Sequence, residues 1–294
     1  MRTMRRTLDG MPRGAPSPLH ENNPAGKSAK HSKGNVAKVS EDLARKGTDR
    51  MNLEKFRECP ICGNKNPDEA AVISEVIDIY RLWCQKCNCA YFSEEVTPSQ
   101  KYDLEYNLHF YRPGDVAQAV WLSELVRDFC KGNIPAPRIL EVGVGNALTM
   151  LLLRLRGLPS EGVDIDPVLC EYFGRLYNLT IYPGGIENLD KKMEYDLVYS
   201  SHVIEHFANP RLFLKKIRAM LDIPGYLIIY TPDLDLSNER NPNWRHFKTR
   251  HPFEHACILS RTSLGYLAAK EGYFLHRFER YAPFGSFLAI LSRS

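Results

Sequence analysis

Short apolar runs alternate with stretches of helical spacing from about residue 115 onward. Apolar runs rich in β-branched residues predict buried strands, and apolar residues that recur every three or four positions predict amphipathic helices. This alternation is typical of α/β folds. We expect strands near residues 138–143, 161–165, 179–182, 195–201, 225–231, 273–279 and 285–292, and helices near residues 115–131, 147–156, 167–177, 209–221 and 260–271.

The last two predicted strands are separated by only a short connection, which contains Pro283. A parallel crossover needs a dozen or more residues, so two strands joined this briefly must run antiparallel. The pattern therefore predicts an α/β domain whose seven-stranded sheet is mostly parallel and contains one antiparallel strand.

Basic residues are concentrated at the start of the chain. Residues 1–50 carry 11 Lys and Arg against 5 Asp and Glu, and they show no apolar period, which predicts a disordered tail. The remaining residues carry 28 against 30, so the folded part is not expected to bind nucleic acid through a basic face. No apolar run approaches the ~20 residues that span a bilayer, so no membrane segment is expected.

Five of the eight cysteines lie between Cys59 and Cys89, as C-P-I-C, 21 residues and C-Q-K-C-N-C. Two C-x-x-C pairs at this spacing can place four thiolates around zinc, which predicts a zinc ribbon over residues 51–98. Cys89 is then left as a packed or free thiol. The cysteine clustering indicates a reducing compartment, so we expect a cytoplasmic protein. The expected ligands of the structural Zn²⁺ are Cys59, Cys62, Cys84 and Cys87.

A connector rich in aromatic residues follows at residues 99–114. It either packs between the ribbon and the main domain or forms a lid over the cofactor or substrate. Residues 51–110 carry 6 Lys and Arg against 10 Asp and Glu, which argues against a ribbon that contacts RNA phosphates. The aromatic and imidazole side chains of the connector are Tyr102, Tyr106, His109, Phe110 and Tyr111.

The segment from Arg138 to Met150, R-I-L-E-V-G-V-G-N-A-L-T-M, predicts a strand, a tight turn and a helix. Gly143 and Gly145 allow a sharp turn and a close approach to a ligand, and the helix N-terminus offers unpaired N–H groups. Asp164 lies 19 residues after Gly145, at the end of the next apolar run. An acidic side chain there can accept hydrogen bonds from ribose hydroxyls, so these residues indicate a nucleotide site.

Four segments resemble, in order and spacing, the motifs of class I S-adenosylmethionine-dependent methyltransferases: E-V-G-V-G-N-A, G-V-D-I-D-P, Y-D-L-V-Y-S-S-H-V-I-E-H and P-G-Y-L-I-I-Y-T-P. The resemblance covers roughly residues 115–294 and implies a Rossmann-like fold. Methyltransferases of this type carry E-x-G-x-G, whereas dehydrogenases carry G-x-G-x-x-G. Ala147 stands where the family often has a third glycine.

The resemblance implies how the methyl donor is bound. The backbone from Gly143 to Gly145 would hold the methionine end, Glu141 would orient the loop and the amino group, and Asp164 would take the ribose. Gly185 stands where the family often has an aspartate at the adenine edge, so Ile186 or Glu187 must substitute. The expected cofactor-binding residues are Glu141, Gly143, Val144, Gly145, Asp164, Ile165, Ile186, Glu187 and Ser200.

The segment Tyr199 to His206 leaves the fourth strand at its carboxyl end, where open α/β sheets bind ligands. Ubiquinone-type O-methyltransferases carry Glu-x-x-Glu-His here and use it for a divalent metal, but this chain has His202 in place of the first glutamate. Two interpretations follow. Either His202, Glu205 and His206 bind a metal, or, as we favour, hydrogen bonds anchor the loop and His202 faces the acceptor.

A basic insertion follows the fifth predicted strand, D-L-S-N-E-R-N-P-N-W-R-H-F-K-T-R-H-P-F-E-H. In the family this loop overhangs the substrate cleft, so the insertion either binds an acceptor with a phosphate or carboxylate group or is a solvated loop. His251 or His255 would be a candidate general base beside His202. The basic residues of the insertion are Arg240, Arg245, Lys248 and Arg250.

The sequence therefore predicts an enzyme that transfers a methyl group from S-adenosylmethionine to a small molecule, such as a sugar or an anionic metabolite. An rRNA guanine methyltransferase and a non-catalytic S-adenosylmethionine-binding scaffold are the alternatives. The acidic ribbon disfavours the first, and the joint presence of Glu141, Gly143, Gly145 and Asp164 disfavours the second.

Overall fold

The computed structural model describes residues 56–65, 70–76, 79–95, 103–109, 113–189, 194–236, 255–281 and 285–293. The predicted tail and most of the basic insertion, including His251, lie outside the described residues. So do Tyr102, Phe110 and Tyr111 of the connector.

Strands and helices follow each other in the order that the sequence pattern predicts. In chain order the elements are β1 (Ala70–Val76), β2 (Ile79–Cys84), β3 (Cys89–Phe92), α1 (Leu104–Leu108), α2 (Pro113–Asn133), β4 (Ile139–Val142), α3 (Leu148–Leu155), β5 (Ser160–Asp164), α4 (Pro167–Tyr177), β6 (Thr180–Pro183), β7 (Tyr195–Ser201), α5 (Pro210–Met220), β8 (Leu221–Pro232), β9 (Cys257–Ile258), α6 (Arg261–Lys270), β10 (Tyr273–Tyr281) and β11 (Ser286–Arg293).

The larger sheet has seven strands in the order β10-β11-β8-β7-β4-β5-β6. The five strands from β8 to β6 are parallel, whereas β11 runs antiparallel to both β8 and β10. The predicted Rossmann-like sheet with one antiparallel strand is thereby confirmed. The chain runs from β4 outward to β6 and then returns to β7 on the other side of β4. This change of direction is the point where open α/β sheets bind their ligands.

Helices cover both faces of the larger sheet, which explains why its central strands are apolar on both sides. On one face α2 packs Trp121, Leu125 and Phe129 against the sheet. On the other face α5 and α6 contribute Phe213 and Leu264 to a second core. That second core continues into the ribbon, whose members in it include Ile61, Leu82 and Tyr91.

Side-chain caps fix where several helices begin. Asp166 accepts a hydrogen bond from the N–H of Val168 at 2.9 Å, and proline occupies the first turn of α4. Ser260 and Ser263 form a reciprocal capping box at the start of α6. Among the described residues, no helix is both long and apolar enough to cross a membrane.

A smaller sheet has the order β1-β2-β3-β9. The first three strands form the antiparallel ribbon. The fourth strand was not predicted: β9 pairs antiparallel with β3, with Ala90 opposite Ile258 and Tyr91 opposite Cys257. Backbone pairing therefore joins the ribbon to the segment that follows the basic insertion.

Candidate active site

The four expected zinc ligands lie together. Cys59 Sγ is 3.6 Å from Cys87 Sγ, and Cys62 Sγ is 3.6 Å from Cys84 Sγ. All four sulfur atoms lie within 4.8 Å of one another. Tetrahedral zinc with Zn–S bonds of ~2.3 Å requires S···S separations of about 3.8 Å, so these cysteines could hold the ion. A site with four protein ligands is closed, so its zinc would stabilise the ribbon and would not bind substrate.

Cys89 lies against this cluster without belonging to it. Its sulfur is 3.5 Å from those of both Cys59 and Cys87, and its side chain is buried. All eight cysteines are free of disulfides. The prediction that Cys89 is a packed thiol fits this position.

A cavity of about 830 Å³ opens at the carboxyl ends of β4, β5, β6 and β7. This volume is typical of small-molecule sites. Its wall brings together most of the residues that the sequence singles out. Among the expected site residues, the lining includes Glu141, Gly143, Val144, Gly145, Asp164, Ile165, Ile186, Glu187, His202 and His255.

The glycine turn after β4 has the geometry that the sequence predicts. Gly143 has φ +76°, and a Cβ at this position would lie 2.2 Å from Val203 Cγ2. Gly145 has φ +52° and donates its N–H to Asp164 Oδ2 at 3.1 Å. Ala147 caps α3 with φ 57°, a left-handed conformation that explains why the family often has glycine there.

Asp164 ends β5 at the edge of the cavity and is only 9% exposed. Its Oδ1 accepts the N–H of Asp166 at 3.2 Å, so its two oxygens link the glycine turn to the next loop. Burial raises the pKa of the Asp164 carboxyl, and the backbone hydrogen bonds oppose the rise. Ile165 is 64% exposed and lies beside Asp164 in the cavity wall.

Glu141 is buried below the glycine turn, and its Oε2 accepts a hydrogen bond from the hydroxyl of Tyr199 at 2.8 Å. Burial raises the pKa of Glu141 to about 8, with a further increase from the charge of Asp164 and a partial decrease from the Tyr199 hydrogen bond. An ammonium group bound nearby would favour the ionised form. Glu141 lines the cavity, so the charge of a bound ligand would act on this carboxyl.

The glycine at position 185, where the family often has an aspartate, has a structural explanation. A Cβ at Gly185 would lie 2.1 Å from Glu187 Oε1, so the glycine leaves room for the Glu187 carboxylate. Both Ile186 and Glu187 line the cavity. Ser200 is buried on β7 and is not in the lining, whereas the next residue, Ser201, is. Successive strand residues face opposite sides, so a shift of one position changes which serine reaches the site.

His202 follows β7 in a left-handed backbone conformation, with φ 55°. Its N–H donates to the carbonyl of Tyr230 at 2.8 Å, and its Nδ1 lies 3.1 Å from Glu205 Oε1. Glu205 is fully buried, and its Oε2 accepts a hydrogen bond from the Thr231 hydroxyl at 2.8 Å. This network anchors the loop and leaves the side chain of His202 partly exposed in the cavity wall.

Glu205 is held in its ionised form. Burial raises its pKa, but the hydrogen bond with His202 and the charges of His202, His206 and His255 outweigh burial, so the pKa falls to about 2. Burial has the opposite consequence for His255, whose pKa is lowered to about 3 despite the nearby charge of Glu205. A general base works best with a pKa near the working pH, so His255 is a poor base.

The residues that could bind a metal here differ from the expected set. Ligand atoms of Glu205, His206 and His255 lie within 4.8 Å of one another, and His202 is not a member of this group. These residues offer one carboxylate and two imidazoles. Both oxygens of Glu205 already accept hydrogen bonds, from His202 and Thr231.

Several cavity residues were missed by the sequence analysis. Gln118 donates to Ser201 Oγ at 3.2 Å, and Asp115 and Gln118 both line the cavity from α2. Tyr106 and Asn107 of the connector line it too, which agrees with the lid interpretation. No local motif marks these residues, because their place in the cavity follows from how α1 and α2 pack on the sheet.

The charges of the wall are uneven. Among the described residues that line it, four are acidic and none is Lys or Arg. The wall therefore suits a cationic ligand, and an anionic one would need basic groups from elsewhere in the chain. The four acidic residues are Asp115, Glu141, Asp164 and Glu187.

Comparison with known protein families shows which family the chain belongs to. The family described as "Methyltransferase domain" matches residues 115–276, more than half of the chain. The chain belongs to this methyltransferase family. The resemblance of the four sequence motifs to class I S-adenosylmethionine-dependent methyltransferases is thereby confirmed.

Curated relatives of this methyltransferase include two proteins named "tRNA U34 carboxymethyltransferase". The one from Shewanella oneidensis is 27% identical over 164 residues, which cover 48% of this chain and 49% of the relative. The one from Ruthia magnifica is 26% identical over 137 residues, which cover 43% of this chain and 42% of the relative. The chain thus spans less than half the length of the curated relatives it matches.

Similar solved structures have lower identity. A possible histamine N-methyltransferase from Thermotoga maritima is 23% identical with a TM-score of 0.48, and the match covers 64% of this chain and 94% of that one. Magnesium protoporphyrin IX methyltransferase from Synechocystis is 15% identical with a TM-score of 0.48, and the match covers 61% and 87%.

Proposed function

We propose that this methyltransferase transfers the methyl group of S-adenosylmethionine to a hydroxyl or amine of a small polar molecule, such as a sugar or an anionic metabolite. The observation that carries the proposal is the pair formed by His202 and the buried Glu205, whose Nδ1 and Oε1 are 3.1 Å apart. The ionised Glu205 accepts a hydrogen bond from Nδ1, so Nε2 is the proton acceptor whenever the ring is neutral. His202 therefore serves as the general base beside the bound donor.

The reaction asks little else of the protein. The acceptor heteroatom forms a bond to the methyl carbon while the carbon–sulfur bond breaks, and the electron pair of that bond returns to the sulfonium sulfur. The proton of the acceptor passes to His202 Nε2. Holding the acceptor, the methyl carbon and the sulfur in line can contribute ~7 kcal/mol or more to lowering the barrier.

The donor side of the proposal follows the acidic wall of the cavity. S-adenosylmethionine carries a positive sulfonium and a positive amino group, which Glu141 and Asp164 would complement. The glycine turn approaches the methionine end without a side chain in between. The remaining proposed donor contacts are Ile165, Ile186 and Glu187.

The four ribbon cysteines are proposed to hold a structural zinc ion. Their sulfur separations suit tetrahedral coordination. The cytoplasmic location that the free cysteines predict is part of the same proposal.

An RNA acceptor is the second candidate, because the curated relatives are named "tRNA U34 carboxymethyltransferase". The expectation that nucleic acid is not a partner has no support from these relatives. The basic insertion would bind the phosphates of RNA as readily as those of a metabolite. The two acceptors therefore have to be separated by experiment.

The experiment supplies S-adenosylmethionine labelled in the methyl group with two pools, a protein-free metabolite extract and purified total RNA. Label in the metabolite pool that resists ribonuclease, and that is lost with His202→Ala, is the expected result. Label confined to ribonuclease-sensitive material would replace the small-molecule proposal by the RNA one.

The non-catalytic alternative is tested without an acceptor. Calorimetric titration with S-adenosylmethionine measures donor binding. Transfer of labelled methyl groups to the metabolite or RNA pool measures turnover. Tight donor binding with no transfer to any pool would favour a scaffold. Absence of donor binding would remove the proposed function altogether.

A further inference from the structure

The strand β9 lies between the ribbon and the active site. It pairs with β3 of the ribbon on one side, and Leu259, next in the chain, accepts the N–H of Leu234 at 2.8 Å on the other. His255 lies two residues before β9 and lines the cavity. The segment that presents His255 is therefore held from two directions, one of which is the ribbon.

Arg81 of β2 makes the direct link. Its Nη1 donates to the backbone carbonyl of His255 at 3.0 Å, and its guanidinium lies 4.1 Å from the centre of the Phe92 ring. Arg81 is only 7% exposed. A buried guanidinium is retained where its donors have partners, and here one partner is the main chain of an active-site residue.

Buried packing connects the same segment to the metal cluster. Cys89 lies 3.5 Å from the sulfurs of Cys59 and Cys87, and Cys257 of β9 belongs to the same hydrophobic core as these three cysteines. Cys89 and Cys257 are both fully buried. The packing around the zinc ligands therefore continues directly into the strand that follows His255.

We infer that the zinc ribbon helps to form the part of the cavity that binds the acceptor. Arg81 acts there as a positioning residue that fixes the main chain of His255. Zinc binding orders β2 and β3 and thereby sets where the His255 imidazole stands in the cavity. The effect of this position of His255 on catalysis rests on the proposed function. The coupling itself concerns only the folded protein and can be measured without an acceptor.

The chain offers a matched control for Arg81. Arg57 is another ribbon arginine that donates to a main-chain carbonyl, from Nε to the oxygen of Phe92 at 2.8 Å. That carbonyl belongs to the ribbon itself. Removal of Arg57 therefore takes away one hydrogen bond within the ribbon and leaves the bond from Arg81 to His255 in place.

The test is hydrogen exchange of the full chain, read in peptides that cover residues 255–259, with zinc content and S-adenosylmethionine affinity measured on the same samples. With Arg81→Gln we expect exchange in this segment to rise at least tenfold, with one zinc per chain and a donor Kd within twofold of the parent value. Arg81→Lys, which keeps a donor, should return exchange to within about threefold. Arg57→Gln should leave the segment as protected as in the parent.

A second arm removes the zinc ligand Cys62 by Cys62→Ser. We expect loss of zinc and the same local rise in exchange, while peptides from β4 and β7 stay protected. The inference is overturned if residues 255–259 stay protected in Arg81→Gln or without zinc. It is also overturned if Arg57→Gln gives the same rise, or if exchange rises equally in β4 and β7. A parent protein that fails to bind S-adenosylmethionine would sink the proposed function but leave the exchange result standing.

Discussion

At the scale of residues, the His202–Glu205 pair makes the sharpest prediction. His202→Ala should lower the rate of methyl transfer by roughly 10²–10⁴-fold, the usual contribution of a general base, and leave the donor Kd unchanged. Glu205→Gln should act in the same direction, because it removes the charge that orients Nδ1. The measurement is initial-rate transfer of labelled methyl to the pool found active. His276→Ala is the control, since this imidazole bonds Ser292 Oγ at 2.6 Å on β11 and does not line the cavity.

Glu141 predicts a pH dependence of stability. Its folded pKa of about 8 lies above the ordinary glutamate pKa of 4.5, so the folded state binds one more proton than the unfolded state between these two pH values. Its contribution to stability is complete below pH 4.5 and is lost as pH rises through 8. The loss is on the order of 3–5 kcal/mol for a shift of this size. The pKa of His255 is lowered to about 3 in the folded protein, so its contribution to stability decreases as the pH falls below 6.5. A single curve of stability against pH therefore combines both groups and does not isolate Glu141.

The measurement is therefore a difference. Urea unfolding of the parent and of Glu141→Gln, without donor, should diverge between pH 6.5 and 8.5, with the parent losing stability relative to the variant. Parallel curves over this range would mean that Glu141 is ionised in the folded protein and that the carboxyl is better solvated than its burial indicates.

The residues that the sequence identified and those it missed differ in kind. Gly143, Gly145 and Asp164 belong to a local strand-turn-helix pattern whose geometry constrains the residue type, and they lie where expected. Arg81 belongs to no pattern, because its partner is the main chain 174 residues away. Ser200 was expected among the cofactor-binding residues, but Ser201 lines the cavity, because the sequence does not tell which of two neighbouring strand residues faces the ligand.

At the scale of elements, the turn after β4 can be tested by adding a single methyl group. Gly143→Ala would force a Cβ to within 2.2 Å of Val203 at a positive φ, so we expect donor affinity to fall at least 100-fold and the protein to lose stability. Gly265→Ala is the control. Gly265 lies inside α6 with open space around it, so alanine should stabilise the protein by about 0.5–1 kcal/mol. Calorimetric titration and thermal unfolding measure both effects, and undiminished donor binding by Gly143→Ala would contradict the assigned turn.

Periodicity located every strand of the larger sheet and the five helices predicted around it, since their apolar positions face a core on one or both sides. It did not find β9. A two-residue strand has no period, and its partner β3 lies more than 160 positions earlier in the chain. The start of β8 was also predicted too late, since the strand begins at Leu221, which pairs with Tyr195. The register between β7 and β8 shifts after this pair, and regular pairing continues from Leu197.

At the scale of the whole molecule, acidic and basic side chains come from different parts of the chain. The described wall of the cavity is acidic, whereas the insertion after β8 carries Arg240, Arg245, Lys248 and Arg250. An acidic wall suits the cationic donor, and the insertion is the nearest basic segment in sequence to β9 and His255. Donor and acceptor would thus be selected by opposite charges, one from the sheet and one from the insertion.

This division predicts how transfer responds to salt. If the acceptor is anionic, raising the salt from 50 to 300 mM should weaken acceptor binding, because screening acts on exposed charges, while the buried donor contacts change little. Replacing the four basic residues of the insertion by glutamine should weaken acceptor binding at low salt and flatten its salt dependence. The four substitutions should leave the donor Kd within about twofold. Both statements are checked by initial rates at limiting acceptor, measured across the salt series for the parent and the fourfold variant. If the rates of the parent do not respond to salt, the acceptor, whether metabolite or RNA, is not held by these charges.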